Sequence, residues 1–360
     1  MTSPLTKPLR AGRLAPACGC GPTRRGCLTG LLAAATASVL PGCAPMASTA
    51  TNEARRIDTH HHFFTPAYVK ALDAAIGAPP IVKNWSVTKT LDDMDKAGVR
   101  TAVLSLTTPQ VGFADAPTAR RLARESNEGA AELARSHPGR FGSFATLPMQ
   151  DIDGSLAELA YALDVLKADG IGVLTSHNDR WLGHRDFAPI MDELNRRKAV
   201  LYTHPTSGSC CTNLLPQIPP TVVEYGTDTT RTIVDIVFSG TAARCPDLKF
   251  IFSHAGGTLP FLTERLLKVP ELDKSMVPRV PRGVLFELQR FYYDTAWTAN
   301  PMAMSSLTQL VGIPQILFGS DYPYRTGADN VKGLSAYFSA TDFETIGRTN
   351  ARRLLPGLPA

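Results

Sequence analysis

Eight short β-rich runs, each separated from the next by a longer stretch containing helix-period segments, constrain this chain more than any other feature. The runs are Arg56–His62, Thr101–Leu106, Arg140–Leu147, Gly170–Thr175, Ala199–His204, Leu248–His254, Arg290–Thr295 and Gln315–Ser320. Val200-Leu201-Tyr202 and Phe250-Ile251-Phe252 are continuously apolar, which suits strands covered on both faces. Helical segments such as Pro117–Ser136, Gly154–Ala168, Phe187–Arg197 and Thr229–Ala243 lie between the runs. Eight strand-helix units over about 300 residues predict a single-domain α/β fold, a (β/α)8 TIM barrel. A doubly wound open sheet is the alternative, but no Gly-x-Gly-x-x-Gly follows the first run. Pro216, Pro219 and Pro220 predict a loop after the fifth strand, long enough to shape a pocket.

Composition sharpens the outline. With 44% apolar and 19% charged residues among 360, the chain is not disordered, collagen-like or a coiled coil. The formal net charge of +5 arises entirely within residues 1–50, where Lys7, Arg10, Arg13, Arg24 and Arg25 meet no acid. The neutral remainder offers no electrostatic footprint for nucleic acid. Residues 1–50 read as an export leader and 51–360 as the barrel. Thr23-Arg24-Arg25-Gly26-Cys27-Leu28 precedes an apolar run from Cys27 to Leu40, too short to span a membrane. The paired arginines resemble a twin-arginine signal, predicting a periplasmic protein. Leu40-Pro41-Gly42-Cys43 resembles a lipoprotein box, predicting a lipid anchor at Cys43; cleavage near Ala47 is the alternative. Translation from Met46 would instead leave the protein cytoplasmic. Beyond the leader only Cys210, Cys211 and Cys245 remain, too few for a disulfide framework, so free thiols are expected.

The histidines cluster at strand ends. His60, His61 and His62 close the first strand, and alternation puts His60 and His62 on one side and His61 on the other. Tyr202-Thr203-His204-Pro205 ends the fifth strand, Phe252-Ser253-His254-Ala255-Gly256-Gly257 the sixth, and Phe318-Gly319-Ser320-Asp321 the eighth. Singly, each has an ordinary structural reading as a satisfied polar residue or a turn cap. Together, imidazoles and a carboxylate on the active-site rim of a barrel form a divalent-metal set.

Ile57-Asp58-Thr59-His60-His61-His62, Tyr202-Thr203-His204-Pro205-Thr206, Ser253-His254-Ala255-Gly256-Gly257 and Phe318-Gly319-Ser320-Asp321-Tyr322-Pro323 resemble the motifs of the amidohydrolase superfamily. The similarity runs from about Arg56 to Leu355. It is nearest to the non-oxidative decarboxylases of aminocarboxymuconate semialdehyde, γ-resorcylate and 6-methylsalicylate. The resemblance implies that His60, His62, His204 and Asp321 ligate one divalent metal, zinc in first place with manganese acceptable to the same donors. It implies that His254 is a catalytic acid/base, with Asp321 the other candidate to transfer the proton. Binuclear members bridge two metals with a lysine or acid after the fourth strand. Here Gly170-Ile171-Gly172-Val173-Leu174-Thr175-Ser176-His177 carries none, so a mononuclear site is expected. His177 is read as a pocket-rim or solvent-facing residue.

The expected reaction is loss of CO2 from a small hydroxyaromatic or unsaturated carboxylic acid after metal chelation and protonation of the carbon bearing the carboxylate. A metal-dependent hydrolase of a lactone, ester or amide is the alternative, and a non-catalytic metal- or solute-binding protein a third reading. Phe63, Phe64, Trp85, Trp181 and Tyr293 are candidates for an aromatic wall, with barrel-to-helix packing the competing role. Arg180 is a candidate cation for a second anionic group or a solvated residue. Gly256-Gly257 predicts a tight turn into a helix with Pro260 near its first position. By resemblance alone a homo-oligomer is expected.

Overall fold

Each of eight strands pairs in parallel with its successor. They are β1 (Arg56–His62), β2 (Val99–Ser105), β3 (Phe141–Thr146), β4 (Gly170–Leu174), β5 (Val200–His204), β6 (Lys249–Phe252), β7 (Tyr292–Asp294) and β8 (Ile316–Leu317). This computed structural model describes residues 55–358. The leader expectations for residues 1–50, including the anchor at Cys43, therefore lie outside the described residues. Backbone bonds return the sheet to its first strand: Thr59 N–H donates to Phe318 O at 2.9 Å, Asp321 N–H to His60 O at 2.8 Å and His62 N–H to Tyr322 O at 2.8 Å. The (β/α)8 barrel expected from the alternation is the fold.

Asp58 reinforces this seam. Its Oδ1 accepts the backbone N–H of Ser320 at 3.0 Å and of His60 at 3.1 Å, and its Oδ2 accepts the Ser320 hydroxyl. Inside the barrel, Ile57, Val103, Phe144, Tyr202, Ile251 and Leu317 form one apolar cluster with Leu354, Leu355 and Leu358 of the C-terminal segment. β4 contributes glycine there. A Cβ on Gly172 would stand 3.2 Å from the Phe144 Cβ, and Phe144 stacks on Tyr202 with ring centroids 5.1 Å apart. In β1 the register with β2 slips by one residue between Asp58 and His61. That bulge lets Ile57, in the apolar cluster, and His60, an odd step further on, share the barrel interior.

The helices cover the outside, several of them opened by a capping side chain. Asp115, for example, accepts from Thr118 N–H ahead of the helix Ala116–Ser136, as Asn300 does from Ala303 N–H ahead of Pro301–Leu310. The helix expected at Thr229–Ala243 instead begins at Pro220 and runs to Phe238, with a short turn Thr241–Arg244 after it. Pro220 is not a loop residue: it occupies the first turn, where a missing N–H costs nothing. The loop after β5 is correspondingly 205–219. β6 stops at Phe252, two residues short of His254. The turn 254–257 leads into the helix Leu259–Leu267 with proline in its first turn, as expected.

Candidate metal centre

The barrel brings His60, His62, His204 and Asp321 together: all four are buried, and one ligating atom of each lies within 4.8 Å of the others. In each histidine the far ring nitrogen is tied down. His60 Nδ1 lies 2.8 Å from Asp294 Oδ2, His62 Nδ1 3.2 Å from Ser105 O, and His204 Nδ1 2.9 Å from Pro205 O. Carbonyls and carboxylates only accept, so Nδ1 carries the hydrogen in each ring and the lone pair stands on Nε2. This is the arrangement that orients metal-binding imidazoles.

Those lone pairs face another acceptor. Asp321 Oδ1 is 2.8 Å from His62 Nε2 and 3.1 Å from His60 Nε2, and the latter atom is buried with no hydrogen-bond partner among the described residues. Acceptors this close, away from water, require a cation among them. Three imidazoles and one carboxylate fit a divalent ion and leave a coordination position open. Burial lowers the pKa of His62 and lowers that of His204 further, favouring the neutral, ligating form. His60 differs. Burial opposes its protonation, but Asp294 and Asp321 outweigh burial and raise its pKa to about 10, the opposite direction from the other two rings. Burial acts against ionisation of Asp321, yet His60, His254 and His62 hold it well below the ordinary carboxylate range.

His254 stands beside this group. Its ring stacks on His60 at 5.0 Å, and its Nε2 is 3.8 Å from Asp321 Oδ2 and buried without a hydrogen-bond partner among the described residues. Its backbone N–H donates to Asp294 Oδ1 at 3.0 Å. His254 and Asp321 both adopt left-handed backbone, φ 53° and 68°, a conformation rare outside glycine and often retained at functional sites. Gly257 allows the turn after His254 to approach the helix Pro220–Phe238, since a Cβ there would lie 1.9 Å from Gly226 O.

Other expected residues take structural places. His61 points away, with Nδ1 3.0 Å from Asp58 Oδ2 and its ring stacked on Tyr322 at 4.8 Å. His177 lies in the short hairpin just after β4, half-buried and edge-on to Phe187, and desolvation lowers its pKa to about 3. Arg180 pairs with Asp186. Phe63 and Phe64 pack around Trp85, Tyr293 donates its hydroxyl to Leu288 O at 2.8 Å, and Trp181 Nε1 donates to Asp228 at 2.8 Å. The aromatic residues at the centre are instead Tyr225, edge-on to His204 at 6.1 Å, Tyr324, edge-on to His62 at 5.9 Å, and Trp297, whose Nε1 donates to Asp321 Oδ2. Sequence reasoning also missed Asp294, although a carboxylate ending a barrel strand is the same signal that singled out Asp321.

Known proteins resemble this chain along the whole barrel. A family model described as amidohydrolase matches residues 57–357. Decarboxylase macB of Penicillium terrestre is 38% identical over 321 residues, 84% of this chain and 95% of that protein. The 6-methylsalicylic acid decarboxylase of Penicillium expansum is 36% identical over 281 residues, 74% of this chain and 85% of its own length. The solved dihydroxybenzoic acid decarboxylase of Polaromonas, with bound manganese and the inhibitor 2-nitroresorcinol, superposes with a TM-score of 0.74 at 25% identity, covering 85% of this chain and 98% of that one. A strand-end set of three histidines and an aspartate on a closed (β/α)8 barrel, matched from the first strand to the C-terminal segment, makes this chain a member of the amidohydrolase family.

Proposed function

We propose that the protein is a metal-dependent carboxy-lyase that removes CO2 from a small hydroxylated aromatic acid. The observation that carries this reading is the set of three Nε2 lone pairs and Asp321 Oδ1 converging beside an unpartnered His254, in a chain 36–38% identical to two decarboxylases. His60, His62, His204 and Asp321 would hold the metal. When bound, the ion acts as a Lewis acid that fixes the substrate carboxylate and its ortho hydroxyl and offsets their charge. Asp294 keeps the His60 ring in register, and the backbone of Ser105 and Pro205 does the same for His62 and His204. His254 Nε2, 3.8 Å from Asp321 Oδ2, is the atom best placed to hold the proton destined for the carbon bearing the carboxylate, with Asp321, kept ionised by its neighbours, the weaker candidate. Once that carbon is protonated, its bond to the carboxylate breaks, CO2 leaves, and the electron pair restores the aromatic ring. Tyr225 and Tyr324, edge-on to His204 and His62, supply aromatic surface beside the centre.

Zinc is our first choice of metal on donor chemistry; the manganese in the Polaromonas relative supports the other. Metal analysis with zinc and manganese add-back, joined to a CO2-release screen over hydroxybenzoates, tests the reading. His60→Ala and Asp321→Ala are expected to lose both metal and CO2 release, and His254→Ala to keep the metal and lose turnover. A His254→Ala protein without metal overturns the division of roles, and acid release from lactones without CO2 release overturns the reaction.

A further inference from the structure

Trp297 is more than half exposed, yet its indole nitrogen is engaged inside, where Nε1 donates to Asp321 Oδ2. An indole N–H donates and never accepts, so the oxygen it holds is committed as an acceptor. Oδ1 is thereby left facing His62 at 2.8 Å and His60 at 3.1 Å. Both ends of this hydrogen bond lie in left-handed backbone, Trp297 at φ 59° and Asp321 at φ 68°. Two non-glycine residues retain that conformation only where surrounding contacts hold it. Arg325 supplies one such contact: its guanidinium carbon is 5.6 Å from the Trp297 ring centroid, and its backbone N–H bonds to Asp321 O at 3.2 Å. Indole, guanidinium and carboxylate therefore form one braced unit, with part of the indole open to solvent beside the metal centre.

We propose that Trp297 has two roles, its N–H positioning Asp321 so that Oδ1 faces the metal centre, and its exposed ring stacking on the ring of an aromatic acid substrate. The second role rests on the decarboxylase reading; the first does not. Because Nε1 touches a ligand carboxylate, a planar acid held at the adjoining coordination position comes within reach of the indole ring.

Two substitutions separate the roles. Trp297→Phe keeps a ring and removes the N–H. Trp297→Gln removes the ring and restores an N–H the same number of bonds from Cβ. Metal affinity is read by chelator competition with zinc and with manganese, and kcat and KM on whichever hydroxybenzoate the wild type turns over. For Trp297→Phe we expect metal affinity about tenfold weaker or more, with reduced kcat and little change in KM. For Trp297→Gln we expect metal affinity near that of the wild type and KM raised about three- to tenfold. Unchanged metal affinity in Trp297→Phe overturns the positioning role, and unchanged KM in Trp297→Gln overturns the stacking role. If the wild type turns over no hydroxybenzoate, the decarboxylase reading and the stacking role fall together, while the metal-affinity comparison still decides the positioning role. The ring's exposure keeps both variants clear of the core, and thermal melting confirms that each is folded.

Discussion

Asp294 and His60 meet 2.8 Å apart inside the barrel, both fully buried, through Oδ2 and Nδ1. The same carboxylate receives the backbone N–H of His254 at 3.0 Å, so one residue at the end of β7 fixes a metal-facing ring and the segment that carries the acid/base candidate.

Asp294→Asn keeps an acceptor for His60 but removes the negative charge that makes its ring more basic. Metal affinity is expected to fall about 10- to 100-fold, with turnover recovering in excess metal. Chelator competition and metal titration of activity measure both effects. Equal affinity in the two proteins would show that the contact serves packing alone.

His61→Ala should spare the metal and cost stability. The ring is buried, bonded to Asp58 and stacked on Tyr322, and takes no part in the ligand set. A loss of about 1–3 kcal/mol is expected from the cavity and the broken hydrogen bond. Thermal unfolding and metal content on one preparation decide it, and a metal-free product would mean that His61 is a ligand.

Asp169, just before β4, gives the pH prediction. Burial raises its carboxyl from 3.8 to about 6. In the unfolded chain the group ionises at the lower value, so this residue's contribution grows unfavourable as pH climbs from about 4 to about 6 and stays so above. Asp169→Asn can still accept from Ser143 N–H, as Asp169 Oδ2 does at 2.8 Å. The variant should therefore gain on the order of 1–2 kcal/mol over the wild type at pH 7–8 and nothing below pH 4. Denaturant unfolding at pH 4 and pH 7.5 tests this, and an equal offset at both would exclude ionisation as the cause.

Export remains a proposal from the leader. Full-length protein is expected in the periplasmic or membrane fraction, and the double change Arg24→Lys, Arg25→Lys is expected to hold it in the cytoplasm. Cell fractionation of the two proteins is the measurement. Identical distributions would favour the reading in which translation begins at Met46.

The eight strands were legible as short β-rich runs separated by helix-period stretches, and β1 runs from Arg56 to His62 as its sequence suggests. The ligand set was legible because its members end strands or, for Asp321, follow one closely, and strand direction in a parallel barrel fixes which rim they share. What stayed hidden depends on contacts across the barrel. Trp297 lies three residues beyond Asp294, but its reach to Asp321 requires left-handed backbone at both ends, which no local pattern announces. Arg180 and the aromatic residues offered for the pocket wall lie near strand ends as well. There Asp186 and Asp228 satisfy Arg180 and Trp181, while neighbouring helices enclose Phe63, Phe64 and Tyr293. The early start of the helix at Pro220 was masked by its prolines, which read equally as loop or as helix opening.

Asp58, near the start of the described chain, grips Ser320, near its end, through both carboxylate oxygens. The donors that converge on the centre are thus contributed by the first and last parts of the barrel sequence, with His204 between them. During synthesis no complete chelating cage exists until Asp321 has emerged from the ribosome, so a chain that stops short of Asp321 has no finished centre. Closure of the cylinder and completion of the donor set therefore both await the segment that follows the last strand.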